Sequence, residues 1–197
     1  MSCGARPFEN DEMERLFAHL TGEHRWRDRA LVQLGVYSGL RVGTLLALRV
    51  GDVFDGMRFR LRLRIARRNL KGRREGIDIP FHPVAKVAIG RWLVQLRLAG
   101  IALDPAMPVF RSREQRGGAL SRRRAQEIVR DAAQRAGLPA GISTHSWRKT
   151  FAGRLYEGSG HNILLVSKAL HHRQLSTSIH YLSWKLNERA DAAILAL

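Results

Sequence analysis

The residues best able to do chemistry lie in one stretch, between positions 143 and 181. It contains His145 and Arg148, later another histidine, His172, and a tyrosine, Tyr181, nine residues beyond His172. Arginines bind phosphate oxygens through paired hydrogen bonds, histidines transfer protons near neutral pH, and a phenol can act as a nucleophile. The pattern therefore indicates phosphate chemistry, although a pair of solvated basic helices would have a similar composition.

The whole chain is strongly basic. Its 197 residues carry 34 Lys+Arg against 17 Asp+Glu, which gives a formal net charge of +17. Such an excess opposes compaction through self-repulsion, so we infer a polyanionic partner. Nucleic acid is favoured over a membrane surface because no basic helix with a bulky aromatic face is evident. No apolar run approaches the roughly 20 residues that span a bilayer.

Composition also limits the class of protein. A hydrophobic fraction of 45% is typical of a globular protein, and the length suits one domain, which we predict over residues 1–197. Cys3 is the only cysteine, which excludes an internal disulfide and a cysteine zinc site. The first residues lack the apolar core of a signal peptide, which predicts a cytoplasmic protein.

The periodicity of apolar residues predicts an α+β fold, mainly α, with a small antiparallel β-hairpin. Helices are predicted over residues 10–20, 27–39, 41–53, 83–100, 120–138, 144–157 and 162–171, with another leading through 176–184 and a short one over 187–197. From residue 57, arginines alternate with apolar residues, which predicts a half-buried strand, a turn and a returning strand over 77–81.

These elements place the polar candidates at their ends. Arg41 begins a helix just after a glycine-containing turn, and Lys71 lies at the tip of the hairpin. His145 and Arg148 are one turn apart on a helix and so share a face. The other tyrosines, Tyr37 and Tyr156, lie in apolar surroundings and are predicted to be core residues.

Four segments in order resemble the catalytic domain of the tyrosine recombinases of the phage integrase type. YSGLRVGTLLALRVGDV is similar to the first box of that family, LKGRREGIDIP to its hairpin, THSWRKTFA to its H-x-x-R box, and LHHRQLSTSIHY to the box that ends in the tyrosine. One box alone is weakly specific, but four in order over residues 10–185 are a strong signal. The resemblance implies six catalytic residues: Arg41, Lys71, His145, Arg148, His172 and Tyr181.

In that family Tyr181 would attack a DNA phosphate and form a 3′-phosphotyrosyl link, which a 5′-hydroxyl later reverses. Arg41 and Arg148 would stabilise the pentacoordinate phosphate, and Lys71 would protonate the leaving 5′-oxygen. The two histidines would hold the phosphate or tune proton transfer. The resemblance implies no cofactor and no metal.

Other basic residues are expected to contact DNA phosphates, with solvated charged faces as the alternative. This set is Arg58, Arg60, Arg62, Arg64, Arg73, Arg74, Arg122, Arg123, Arg124, Lys149 and Arg173. The expected partners are double-stranded DNA attachment sites and copies of the chain, monomeric when free and tetrameric in a synaptic complex that resolves a Holliday junction. An accessory excision factor or a host DNA-bending protein would assist. Residues 186–197 are predicted to dock on a neighbouring protomer.

The sequence departs from the family pattern at several points. Thr44 stands where an acidic residue is common, Lys149 replaces a second histidine, and His171 replaces a glycine, so a different backbone is expected there. A metal site formed by His171, His172 and His180 is not expected, since no acid or cysteine completes it. No helical core-binding domain precedes the first box, which indicates a truncated chain or a minimal recombinase.

The leading hypothesis is a site-specific DNA recombinase or integrase of the bacterial cytoplasm and nucleoid, serving for example viral genome integration. A type IB topoisomerase-like enzyme would use the same chemistry with strand swivelling instead of exchange. A DNA-binding regulator that has lost cleavage is the third possibility, and the intact set of six residues argues against it.

Overall fold

The computed structural model describes residues 5–9, 11–69, 75–112, 117–172 and 174–195. Its helices are α1 (Glu12–His19), α2 (Arg25–Ser38), α3 (Val42–Leu46), α4 (Val50–Val53), α5 (Pro83–Leu98), α6 (Arg122–Arg135), α7 (Ser146–Gly158), α8 (Ile163–Ala169) and α9 (Leu175–Leu195). Two strands, β1 (Arg62–Ile65) and β2 (Ile77–Pro80), pair antiparallel, and a 3₁₀ turn (Arg67–Asn69) follows β1. The predicted α+β, mainly α, class is confirmed.

The hairpin is shorter than the alternation of residues predicted. Leu63 and Ile65 are buried as expected, but Leu61 is 83% exposed, so the pattern fails before β1. The reason is a turn that folds the preceding segment back on itself: Phe54 forms a bridge with Phe59, and the Arg60 amide donates to the Val53 carbonyl. These backbone hydrogen bonds take the place of those that a longer β1 would have made with its partner strand.

The prediction of one continuous helix over residues 41–53 is wrong, because the structure has two helices there, α3 and α4. Between them, Arg49 forms a bridge with Pro108, and the Val109 amide donates to the Leu48 carbonyl. Leu48 and Val109 are both fully buried. Burial of these two side chains with paired backbone groups outweighs the continuation of one helix.

Helix α2 lies at the centre of the larger core, between α5 and α7. Gly35 allows the close approach of α7, because a Cβ added there would lie 2.5 Å from the Trp147 ring. Trp147 is fully buried, and its indole N–H donates to the Leu40 carbonyl at 3.2 Å. The start of α7 is therefore fixed against the turn that precedes α3.

A smaller core joins the last three helices. Ala152 and Tyr156 of α7, Val166 of α8, Leu170 just after it and Leu182 of α9 are all buried together. Tyr156 is thus a core residue as predicted, whereas Tyr37 is only partly buried and stacks on His82. Because Leu182 is the neighbour of Tyr181 in sequence, this core determines where the tyrosine lies.

The C-terminal part of the chain differs from the prediction of separate helices, because α9 is continuous to Leu195. No glycine or proline interrupts residues 175–195, so nothing in the backbone stops the helix. Lys185 forms an ion pair of 2.8 Å with Glu157 of α7, and Arg189 contacts His161. Among the described residues, no helix is long and apolar enough to cross a membrane.

Candidate active site

A cleft of about 920 Å³ lies where α2, α3, α6, α7 and the α8–α9 connection meet. Its described lining includes these basic side chains: Arg41, Arg122, His145, Arg148, His171 and His172. No carboxylate is among the described residues that line it. The cleft is therefore a site for an anion.

Arg148 is the buried centre of this site. It is 3% exposed, and its guanidinium donates to the carbonyls of Gly39 and of Leu170, the latter at 2.8 Å. Gly39 and Leu170 follow the last turns of α2 and α8, where carbonyls lack helical partners and the helix dipole favours a cation. Two helix ends therefore fix the position of one guanidinium.

The pKa of Arg148 is lowered to about 10, first by burial and then by the charge of Arg41, while Tyr181 opposes both effects. The group remains charged at neutral pH. Its Nε is buried and has no hydrogen-bond partner among the described residues. A buried donor without a partner raises the free energy of the folded state.

His172 lies directly against Arg148. Its Nε2 is 3.1 Å from Arg148 Nη2, and its Nδ1 is 2.8 Å from Ser178 Oγ. The pKa of His172 is lowered to about 4, first by burial and then by the charges of Arg148, Arg41 and His171. The imidazole is therefore neutral at physiological pH.

Tyr181 stands beside both groups. Its ring centroid is 5.2 Å from that of His172 and 5.7 Å from the guanidinium carbon of Arg148. Thr177, one turn earlier on α9, lines the cleft. The last box and the H-x-x-R box, separate in sequence, are thus brought together around a single phenol.

His145 and Arg41 lie at the exposed side of the cleft. His145 is the residue before the first turn of α7, and Arg41 is in the same position on α3. The pKa of His145 is lowered by burial, then by the charges of Arg148 and Arg41. Both side chains are therefore accessible to a ligand that enters the cleft.

The base of the hairpin is bonded to α3. The Thr44 hydroxyl donates to the Asn69 backbone carbonyl, and the side-chain amide of Asn69 donates to the Ala47 carbonyl, each at 3.3 Å. Thr44, which stands where the family commonly has an acid, thus contacts the hairpin. Lys71 lies outside the described residues, two positions beyond Asn69.

His171 has a φ of 54°, in the left-handed region that favours glycine. This conformation is one that glycine adopts readily, and the expected difference from the family backbone stays a prediction. Lys149 is half-buried and lines a second cavity on the other side of α7, although its charge also lowers the pKa of His145.

The predicted DNA-binding arginines are in different environments. Arg58 pairs with Asp55 and Arg62 with Asp78, each at 3.7 Å, while the Arg60 side chain donates to the Gly51 carbonyl. Arg64 is exposed. The others from the hairpin and last box, Arg73, Arg74 and Arg173, lie outside the described residues.

The three arginines that begin α6 separate into two kinds. Arg123 and Arg124 both pair with Glu127, at 2.9 and 3.3 Å. Arg122 instead lies against α3, because a Cβ on Gly43 would be 2.5 Å from its Nη2. Ser121 caps the helix as predicted by accepting from the Arg124 amide. Only Arg122 of the three lines the cleft.

Two polar residues of the site were not identified from the sequence. Ser178 is fully buried and bonds His172, and Thr144 is 3% exposed with a hydroxyl that has no partner among the described residues. Ser178 precedes the tyrosine by three residues and so faces the same side of α9, a spacing that could have indicated it. Thr144 had no such signal. The described residues contain no group of three or more His, Cys, Asp or Glu that could hold a metal.

Comparison with known proteins gives a consistent result. The model of the phage integrase family matches residues 6–187. Tyrosine recombinase XerD of Corynebacterium glutamicum is 34% identical over 79% of this chain and 47% of its own length. Tyrosine recombinase XerC of Shewanella amazonensis is 36% identical over 80% of this chain and 49% of its own. The chain thus spans about half the length of the curated relatives it matches.

Solved structures share the fold. The XerH site-specific recombinase in a post-cleavage complex with its difH substrate has a TM-score of 0.72 at 23% identity, covering 95% of this chain and 52% of its own. The XerA recombinase has a TM-score of 0.71 at 22% identity, covering 91% and 60%. With the four boxes gathered at one cleft and the family model matching nearly the whole sequence, this chain belongs to the phage integrase family.

Proposed function

We propose that this chain is the catalytic part of a site-specific DNA recombinase that cuts and rejoins DNA through a 3′-phosphotyrosyl intermediate. The observation that carries the proposal is the approach of Arg148, His172 and Tyr181 to one another, with the first two in a cleft whose described lining has no carboxylate. A buried guanidinium with an unpaired N–H suits a phosphate oxygen in particular. The family of the chain supports the same chemistry.

In the cleavage step, the Tyr181 oxygen forms a bond to phosphorus and the bond from phosphorus to the 5′-oxygen breaks. Arg148 and Arg41 bind the non-bridging oxygens, where charge develops. The neutral ring of His145 accepts the phenol proton, because its lowered pKa leaves it unprotonated at neutral pH. Lys71, through its place in the family hairpin, donates a proton to the leaving 5′-oxygen. Attack by a 5′-hydroxyl reverses the step.

Exchange of strands between two duplexes, through a Holliday junction in a tetramer, follows by analogy with the family. The relatives are bacterial proteins, so we place the reaction at DNA in the bacterial cytoplasm. Contacts of Lys185 and Arg189 hold α9 on its own chain as far as residue 189. We assign docking on a neighbour to the residues beyond, which end the predicted segment 186–197.

Covalent trapping tests the cleavage chemistry. The full chain is mixed, in EDTA, with nicked duplexes of random sequence and with DNA from its source organism. A denaturant-resistant adduct should form on Tyr181 and disappear in Tyr181→Phe. Tyr37→Phe is the matched control, because Tyr37 stacks on His82 rather than on His172, and this variant should retain the adduct.

Three results would contradict the proposal. An adduct that persists in Tyr181→Phe would place the nucleophile elsewhere. Tight, salt-sensitive DNA binding without an adduct on any substrate would favour the regulator that only binds. Relaxation of any supercoiled plasmid without recombinant products would favour the topoisomerase-like alternative.

A further inference from the structure

Ser178 is a buried hydroxyl at the site that the cleavage chemistry does not use. It is fully buried in α9, and its Oγ is 2.8 Å from His172 Nδ1. Tyr181 follows it by three residues on the same helix. Ser178 therefore connects the helix of the tyrosine directly to the histidine.

The two hydrogen bonds of His172 determine which of its nitrogens carries the proton. A guanidinium has donors only, so His172 Nε2, 3.1 Å from Arg148 Nη2, accepts and is unprotonated. In a neutral imidazole the proton is then on Nδ1, which donates to Ser178 Oγ. The lone pair of the ring is therefore on Nε2, which faces Arg148 and the cleft.

We propose that Ser178 is a positioning residue that accepts from Nδ1–H, stabilises the tautomer of His172 that Arg148 selects, and keeps Nε2 directed at the reacting phosphate. This inference rests on the proposed function. When DNA enters and its phosphate binds Arg148, Nε2 loses the guanidinium donor, binds a proton from solvent and donates it as a hydrogen bond to a phosphate oxygen. Nδ1 carries hydrogen in both the neutral ring and the imidazolium, so its bond to Ser178 persists and the ring does not turn.

The arrangement also couples the tyrosine to the histidine. The serine lies almost one helical turn before Tyr181, so a shift of α9 that moves the phenol also moves the hydroxyl away from Nδ1. The orientation of His172 is then correct only when the nucleophile helix is in place. Cleavage with a misplaced tyrosine is disfavoured for that reason.

The tautomer can be measured without DNA, by ¹⁵N–¹H correlation spectra of the histidine rings of the full chain, with His172→Gln used to assign the signals. We expect a protonated Nδ1 and an unprotonated Nε2 for His172 in the wild type. In Ser178→Ala we expect a mixture of tautomers. Ser178→Thr should restore the wild-type pattern, and Ser176→Ala, an exposed serine of the same helix, should leave it unchanged.

The same variants should differ in cleavage of nicked DNA. Loss of one orienting hydrogen bond should slow adduct formation by Ser178→Ala about tenfold while DNA affinity is unchanged. A wild-type His172 protonated on Nε2, or a Ser178→Ala variant with unchanged tautomer and rate, would overturn the proposal. Because the spectra need no cleavage, they test Ser178 even if Tyr181 forms no adduct. Should Ser178→Ala fail to fold, the wild-type and Ser178→Thr spectra still decide.

Discussion

The buried arginine of α7 and the exposed arginines of β1 and α6 have the same charge but different physical roles. Arg148 is buried and held by two carbonyls and a histidine, and burial, then the charge of Arg41, lowers its pKa. Arg62 and Arg123 have side chains 52% and 90% exposed and pair with nearby acids. An exposed pair contributes about 0–1 kcal/mol, so these arginines act through their charge and Arg148 through its position.

This contrast makes the effect of a substitution depend on place rather than on residue type. A fixed guanidinium stabilises charge in the transition state without reorganising. Mobile surface arginines replace the counterions of DNA and give affinity that falls with salt. The predictions that follow test this difference, beginning with the substitution expected to have the largest effect.

Arg148→Lys should slow phosphotyrosyl adduct formation by about 10²–10³-fold, because an ammonium cannot satisfy two carbonyls and a bidentate phosphate together. Single-turnover cleavage of nicked DNA measures the effect. Arg123→Lys is the matched control and should stay within about twofold of wild type. Similar losses in both variants would remove the distinction between the two regions.

Deletion of residues 190–197 should abolish recombination while leaving adduct formation by the monomer nearly unchanged. The ion pair from Lys185 and the contact from Arg189 remain in this variant, so α9 keeps its place on its own chain. A two-substrate recombination assay and the trapping assay are compared on the same preparation. Equal loss of both activities would contradict the docking role of the tail.

Substitution of Arg122 should have an effect between those at the buried Arg148 and at the surface arginines, since Arg122 is exposed but lies over Gly43 in the cleft. Arg122→Gln should weaken DNA binding about fivefold, equivalent to about 1 kcal/mol. Gly43→Ala should have a similar effect without changing the charge, because the new methyl group displaces the guanidinium. The double variant should be no weaker than either single one; additive losses would show that the two positions act independently.

Arg64→Gln on the outer face of β1 should reduce affinity only a few-fold and lower the slope of log K against log salt by about 0.9. Arg62→Gln should have a smaller effect, because Arg62 already donates to the Asp78 carbonyl and pairs with its carboxylate. Titrations at several salt concentrations measure both. Loss of affinity with an unchanged slope would mean that these arginines do not contact phosphate.

Stability should fall as the pH is lowered from about 6.5 to about 4. The folded pKa of His172 is about 4, below the ordinary value of 6.5, so in this range the unfolded chain binds a proton that the folded chain does not. His145, whose pKa is also lowered, acts in the same direction. Urea unfolding of wild type and His172→Gln measures the effect. An equally steep decline in the variant would show that other groups cause it.

Much of the site followed from the sequence because its residues lie at element ends that local signals mark. The resemblance of four segments to the tyrosine recombinases predicted the set of six residues, of which Arg41, His145, Arg148 and His172 line one cleft and Tyr181 lies against His172. Their catalytic roles stay predictions. Helices α1, α2, α5, α6, α7 and α8 followed the apolar periodicity. Such signals depend on residues close in sequence, which is why one chain reveals them.

Only the tertiary structure shows how residues of the same type differ in burial, hydrogen-bond partners and charge state. The division of α3 from α4 depends on backbone bonds to residues 107–109, and the burial of Arg148 depends on the ends of α2 and α8. Arg122 differs from Arg123 because it lies against Gly43. The tautomer of His172 depends on its hydrogen bonds, including the one to Ser178. Residue types and their spacing predicted the class of chemistry. Burial, hydrogen-bond partners and charge state arise from contacts between segments that are distant in the chain, and the periodicity of the sequence carries no information about those contacts.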